Sequence, residues 1–150
     1  MPQSLSRLGT FLPYLLSITS NGVSRRIADE YEARFGLNIP EWRVMAVLGD
    51  AGAMTQRELV QSTMMDKVAV NRACKGLELR QLVARRPNAL DGRSHHLELT
   101  STGRAMHAAI MPIALAMEER LFSVLSEDER FHFRDMLGRL RAQVDVTPET

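Results

Sequence analysis

The chain has 150 residues, 45% of them hydrophobic and 25% charged, with 19 basic and 18 acidic side chains and a formal charge of +1. This is the length of one domain of ordinary globular composition, which excludes a disordered, collagen-like or disulfide-scaffold chain. Cys74 is the single cysteine, so an intramolecular disulfide and a CxxC metal knuckle are excluded too, and the lone thiol suits a reducing cytoplasm.

The longest uncharged stretches run from Leu8 to Ser24 and from Ala105 to Met117. The first is interrupted by Gly9, Pro13, Asn21 and Gly22 and the second is shorter, so neither reads as a membrane span of about 20 apolar residues. The opening Met1-Pro2-Gln3-Ser4, with only Arg7 ahead of the apolar run, lacks the basic region of a secretory signal, and a cytoplasmic location is expected.

In chain order, Leu12, Leu15, Thr19, Val23, Ile27, Tyr31 and Phe35 recur every three or four residues from Leu8 onward. That is the period of one helical face and predicts a long first helix that tolerates Pro13 near its start. Gly36 ends it, and Pro40 opens a second helix carrying Trp42, Val44, Met45, Val47 and Leu48. Thr55-Gln56-Arg57-Glu58 is a capping box for a short third helix that buries Leu59. Asp66 caps a fourth, whose inner stripe is Val70, Ala73, Cys74 and Leu77. Leu82 to Arg86 and Ser94 to Thr100 read as two strands around a turn with Asp91-Gly92 chemistry. A helix from Thr102 to about Leu125 follows, with Pro112 a point of bending, and Ser126-Glu127-Asp128-Glu129 caps the last helix, leaving a frayed tail after Asp145.

The expected fold is mainly α with a small β-hairpin: a winged helix-turn-helix at about 40–100, flanked by helices at about 5–36 and 101–145 within one protomer of residues 1–150. The outer helices are too long and too apolar on one face for so small a centre to cover, and a second copy of the chain is the economical partner.

Between Asp66 and Arg104 eight basic residues face four acidic ones, so this stretch carries +4 and the remainder −3. Positive charge gathered on a recognition-type helix and wing is the footprint of a DNA reader, because each neutralised phosphate releases counterions. On the fourth helix the residues off the buried stripe are Lys67, Val68, Ala69, Asn71, Arg72 and Lys75. Asn71 suits adenine, Arg72 suits guanine or a phosphate, and the lysines suit the backbone. Arg85 and Arg86 are expected at phosphates, one of them pairing with Asp91, and Arg93 at the wing tip suits a narrow minor groove.

Pro40-Glu41-Trp42-Arg43-Val44, Thr55-Gln56-Arg57-Glu58-Leu59, Leu77-Glu78 leading to Leu82-Val83, Asp91-Gly92-Arg93 and Leu99-Thr100-Ser101-Thr102-Gly103 occur in an order and spacing that resemble the multiple antibiotic resistance regulator (MarR) family. The resemblance spans nearly the whole chain. It implies a homodimer with interleaved first and last two helices, bound to a pseudo-palindromic operator and repressing until a small phenolic or aromatic ligand releases it. Residues matching such a pocket are Tyr14, Ser17, Asn21, Trp42 and Arg43, of which Tyr14 and Trp42 also suit core packing; Arg suits a carboxylate. Gln81 departs from the glycine common in the family between recognition helix and strand.

No cofactor is expected. His95 and His96 are adjacent on a strand and point to opposite faces, while His107 and His132 lie on separate helices, an arrangement unsuited to metal. Cys74 on the buried stripe reads as an inert small hydrophobe. No catalytic set of Ser/His/Asp or Cys/His type, phosphate loop or HExxH motif occurs, which argues against an enzyme. Three alternatives stay open: activation in place of repression, control through Cys74 oxidation, and a winged-helix module that docks protein.

Overall fold

In the computed structural model residues 3–87 and 94–146 are described. The chain divides into two compact units, Met1–Ala114 and Leu115–Thr150. The expected single first helix is two: α1 (Gln3–Thr10) and α2 (Leu12–Phe35) meet at an extended Phe11. The physical reason is Pro13, which lacks an amide hydrogen and suits the first turn of a new helix better than the interior of an old one. Gly36, left-handed at φ 67°, closes α2 as expected, its amide donating to the Glu32 carbonyl.

Helix α3 (Ile39–Ala51) starts from a reciprocal box that the reading of Pro40 overlooked: the Glu41 amide donates to Asn38 Oδ1 at 2.9 Å and the Asn38 amide to Glu41 Oε1 at 3.0 Å. A two-residue strand β1 (Met54–Thr55) then leads into α4 (Gln56–Thr63), capped by the Thr55–Glu58 box. Met64, left-handed at φ 57°, turns the chain toward α5 (Lys67–Leu79), whose first turn is capped by Asp66 accepting from the Ala69 amide at 2.8 Å. The buried residues of α5 are Val70, Ala73, Cys74 and Leu77, the expected stripe. Strands β2 (Val83–Pro87) and β3 (His95–Leu99) pair antiparallel, Val83 opposite Leu99, and β1 adds to the far edge of β3 in the order β1-β3-β2. The hairpin is therefore part of a three-stranded sheet.

The core of the first unit gathers α2, α3, α4, α5, the sheet and α6 (Ser101–Leu121) around Ala28, Tyr31, Leu37, Met45, Leu59, Leu77, Leu97 and Ile110, all nearly or fully buried. The passage from α5 into the wing and on to α6 is tied at one point. Gln81 is left-handed at φ 59°, so the geometry that glycine would supply is held by glutamine, and its carbonyl accepts from Thr100 Oγ1 at 2.7 Å. The same Thr100 hydroxyl caps α6 by accepting from the Gly103 amide at 3.0 Å. Gly103 packs so tightly that a Cβ there would lie 2.0 Å from the Leu82 carbonyl oxygen.

Two buried acids of this core are held neutral by burial: the Cys74 thiol is pushed from its ordinary 9.0 up to about 11, and the Tyr31 phenol from 10.0 up to about 12. Between the unfolded and folded values the native state holds protons that the unfolded chain has lost, so stability is full below pH 9 and falls as pH rises through about 11 and 12. Chemical denaturation at pH 8 to 11 should show this decline, and Cys74→Ala should make it shallower between pH 9 and 11; equal slopes would contradict the assignment to Cys74.

In the second unit α6 ends at Leu121 rather than near Leu125, giving way to a 3-10 turn at Phe122–Val124 before α7 (Glu127–Val146). The Ser126–Glu129 box forms as expected, with the Glu129 amide donating to Ser126 Oγ and the Ser126 amide to Glu129 Oε1. Arg130 ties the turn, donating from Nε to the Phe122 carbonyl at 3.0 Å and from Nη1 to Glu119 at 3.0 Å. No residue of α7 is buried within the chain, and Phe131, Phe133, Met136, Leu137, Leu140 and Val144 are all exposed.

Candidate nucleic-acid interface

Helix α5 presents its outward face because Val70, Ala73, Cys74 and Leu77 anchor the opposite one. At 3.6 residues per turn this sets Val68, Arg72 and Lys75 at the centre of the exposed side, with Lys67 and Asn71 on one flank and Ala69 on the other. Val68 is 67% exposed. A solvent-facing valine amid cations is unexplained by packing, and it offers an apolar contact of the kind a thymine methyl makes in the major groove. Ala69 is half-buried, and its amide is taken up by the Asp66 cap.

The fate of each cation separates fold from function. Arg80 donates to the carbonyls of Phe35 at 2.9 Å and Gly36 at 3.2 Å, bracing the left-handed end of α2, and Arg104 donates to the Leu99 carbonyl at 3.0 Å. Arg85 pairs with Glu78 at 2.7 Å and also donates to Gln56 Oε1 at 3.1 Å. Arg86 pairs with Glu98 across the hairpin. Lys67, Arg72 and Lys75 are exposed and have no ion-pair partner among the described residues. The net charge of the segment is therefore concentrated on α5, because both Glu78 and Glu98 are consumed by strand arginines. Asp91 and Arg93, expected at the wing tip, lie outside the described residues.

Two further residues belong to this surface. Arg57, exposed in the first turn of α4, lines a groove with Gln56, Val60 and Lys67, which extends the cationic face across the helix pair. Gln56 joins three elements: its Nε2 donates to Asn71 Oδ1 at 3.1 Å while its Oε1 accepts from Arg85. A polar residue directly after the N-cap Thr55, inside the capping box, was the only sequence signal for Gln56, since periodicity marks faces and not cross-helix partners. Asn71 is thus half-buried and tied to α4.

The residues proposed for a ligand are placed unevenly. Tyr14, Ser17 and Asn21 are exposed on α2 and, with Ser24, recur at spacings of three and four, one helical face. Ser24 Oγ accepts from Arg43 Nη2 at 3.1 Å, so Arg43 meets one end of that polar stripe. Trp42 is packed against two other rings instead, tilted to both, its centroid 5.7 Å from Tyr31 and 5.6 Å from His107. Among the described residues no group of three or more His, Cys, Asp or Glu side chains is arranged for a metal ion, and no helix is long and apolar enough to cross a membrane. Cys74 is fully buried, which keeps a second thiol from reaching it.

Residues 35–94, which contain the helix pair and hairpin just described, match the model of the MarR family. An uncharacterized HTH-type transcriptional regulator, YdgJ of Bacillus subtilis, is 29% identical over 83% of this chain and 76% of its own length. Relatives from Pseudomonas putida and Mycobacterium tuberculosis are described as HTH-type transcriptional repressors. A MarR/EmrR family transcriptional regulator from Acinetobacter superposes with a TM-score of 0.83 at 24% identity, covering 91% of this chain and 96% of that one. Bordetella bronchiseptica BpsR, whose DNA binding is regulated by 6-hydroxynicotinic acid, superposes with a TM-score of 0.71 at 22% identity, covering 85% of this chain and 98% of its own.

Proposed function

We propose that this chain, whose residues 35–94 match the MarR family, is a winged-helix transcription regulator of that family: a cytoplasmic homodimeric repressor that binds a pseudo-palindromic operator and releases it on taking up a small aromatic carboxylate. The family and the relatives are regulators of transcription, not enzymes. The observation that carries the DNA reading is the outward face of α5, where Lys67, Arg72 and Lys75 stand without acidic partners beside the exposed Val68. Cations to hold phosphates and an apolar side chain to contact a base edge are the two ingredients of specific major-groove binding. Arg93 would extend this contact from the wing.

A second copy of the chain is the natural cover for the apolar residues that α7 leaves exposed, and for Phe11, Leu12 and Leu16, which are exposed at the start of α2. Two-fold pairing then sets two α5 helices about one helical turn, 34 to 36 Å, apart along the operator. A carboxylate ligand is supported by Arg43 at the end of the Tyr14, Ser17, Asn21 and Ser24 stripe, with the partner helix closing the stripe from above. The Trp42 ring, already packed against Tyr31 and His107, would form the floor of such a site rather than a free wall.

The test is a mobility shift on the operator fragment with salicylate and 6-hydroxynicotinate as probes. Release at millimolar probe is expected for the native chain, and Arg43→Met should blunt the response at least tenfold while leaving affinity for DNA alone within about threefold. Full release of the Arg43→Met variant would overturn the assignment of the carboxylate to Arg43.

A further inference from the structure

The amide of Asn71 is held in one orientation by a chain of hydrogen bonds with a fixed direction. Glu78, a carboxylate that only accepts, takes Arg85 Nε at 2.7 Å. Arg85, a guanidinium that only donates, gives Nη2 to Gln56 Oε1 at 3.1 Å. Gln56 has then used its acceptor end and presents only Nε2 to Asn71, whose Oδ1 accepts it at 3.1 Å. Reversing Asn71 would set two amide donors against each other, and reversing Gln56 would set its Nε2 against the guanidinium, so either flip loses a hydrogen bond. The charged pair at one end therefore decides which atom is left at the other: Asn71 Nδ2.

We propose that Gln56 and Arg85 are positioning residues that make Asn71 a donor-only reader of the operator. This rests on the DNA-binding reading and specifies its chemistry. With Oδ1 turned inward, Asn71 has no acceptor for the exocyclic amine of adenine, and the bidentate adenine contact expected from residue type alone is unavailable. Its Nδ2 instead matches a major-groove acceptor: N7 or O6 of guanine, N7 of adenine or O4 of thymine. Cytosine, which shows only its N4 donor there, is the base this arrangement rejects. Arg85 accordingly acts through Gln56, away from the phosphates, and its pairing with Glu78 leaves it little charge to offer them.

The experiment compares base preference at every half-site position, as affinity ratios at one salt concentration, for the native chain, Asn71→Ala, Gln56→Glu and Gln56→Met. Asn71→Ala identifies the position read, where discrimination collapses. There the native chain should disfavour cytosine by about tenfold, within the discrimination a good base contact gives. In Gln56→Glu the carboxylate accepts from Arg85 and from Asn71 Nδ2 together, which turns Asn71 Oδ1 outward, and the preference should swing to cytosine or adenine by about tenfold. Any uniform loss from the added negative charge cancels in the ratio. Gln56→Met releases the amide and should flatten the profile at that position to within about threefold. A native-like profile in Gln56→Glu overturns the relay; if that variant does not fold, a native-like profile in Gln56→Met does the same. A native chain with no preferred duplex would instead overturn the regulator reading itself.

Discussion

Gly103→Ala should destabilise the protein by at least about 3 kcal/mol, the largest effect expected of any single added methyl group. The site is built so that α6 begins directly against the wing: Thr100 donates its amide to the Leu82 carbonyl at 3.0 Å, and three residues later Gly103 passes over that same carbonyl. A Cβ would sit 2.0 Å from the Leu82 oxygen, and the obstacle is backbone, so no rotamer change relieves it. Relief requires α6 to move off the sheet, which strains the Thr100 bonds to Gln81 and Gly103 together. For a chain of this size the melting temperature should fall by about 6 to 12 °C, measured at fixed protein concentration because dimerisation shifts it too. Gly49 makes a useful contrast: its added Cβ would meet the His107 ring, a side chain and not backbone, at 2.4 Å. A Gly103→Ala melting temperature within about 2 °C of the native value would contradict the close packing.

The second large effect concerns affinity. Arg57, Lys67, Arg72 and Lys75 are the cations of α4 and α5 left without acidic partners among the described residues. In a dimer Arg57, Lys67 and Lys75 make six phosphate-reaching groups, so log K should fall with log salt at a slope of about −5. Lys75→Ala, removing two of these, should reduce the slope by about 2 and weaken all duplexes alike. Arg72→Ala, at the centre of the outward face, should behave differently if it reads guanine: at about 1 to 3 kcal/mol for each half-site, operator affinity should fall at least thirtyfold while unrelated duplex weakens far less. Arg86→Ala, by contrast, breaks an intrahairpin pair with Glu98 and should cost no more than a few fold. Equal losses for Arg72→Ala and Arg86→Ala would contradict the division between free and paired cations.

Much of this architecture was legible in the residues. The boxes at Thr55–Glu58 and Ser126–Glu129, the Asp66 cap, the Gly36 stop and the stripe Val70, Ala73, Cys74 and Leu77 all depend on chemistry within four residues along the chain. What escaped depends on something else. Strand β1 is two residues long, too short to show a period of two, and exists because β3 offers it an edge. The break at Phe11 was masked by apolar spacing that continues smoothly across it. Gln81 adopts a left-handed turn without the glycine that would announce it, held by Thr100 from 19 residues away.

The interface shows the same division. Residue type located the cationic helix but could not tell a free arginine from a spent one, since the partners Glu78 and Glu98 become neighbours of Arg85 and Arg86 only through strand pairing and helix packing. For Asn71 residue type specifies the side chain and not which of its atoms is left free. That depends on Gln56, a residue of another helix.

Whether this chain reads a specific DNA sequence as a dimer is decided by selecting fragments of the source genome with the purified protein and comparing the best fragment with unrelated duplex at two salt concentrations. A pseudo-palindromic site with half-sites about one helical turn apart is expected, preferred by about a thousandfold or more, with both affinities falling steeply as salt rises. Weak binding with no preferred fragment at either salt concentration would contradict specific reading.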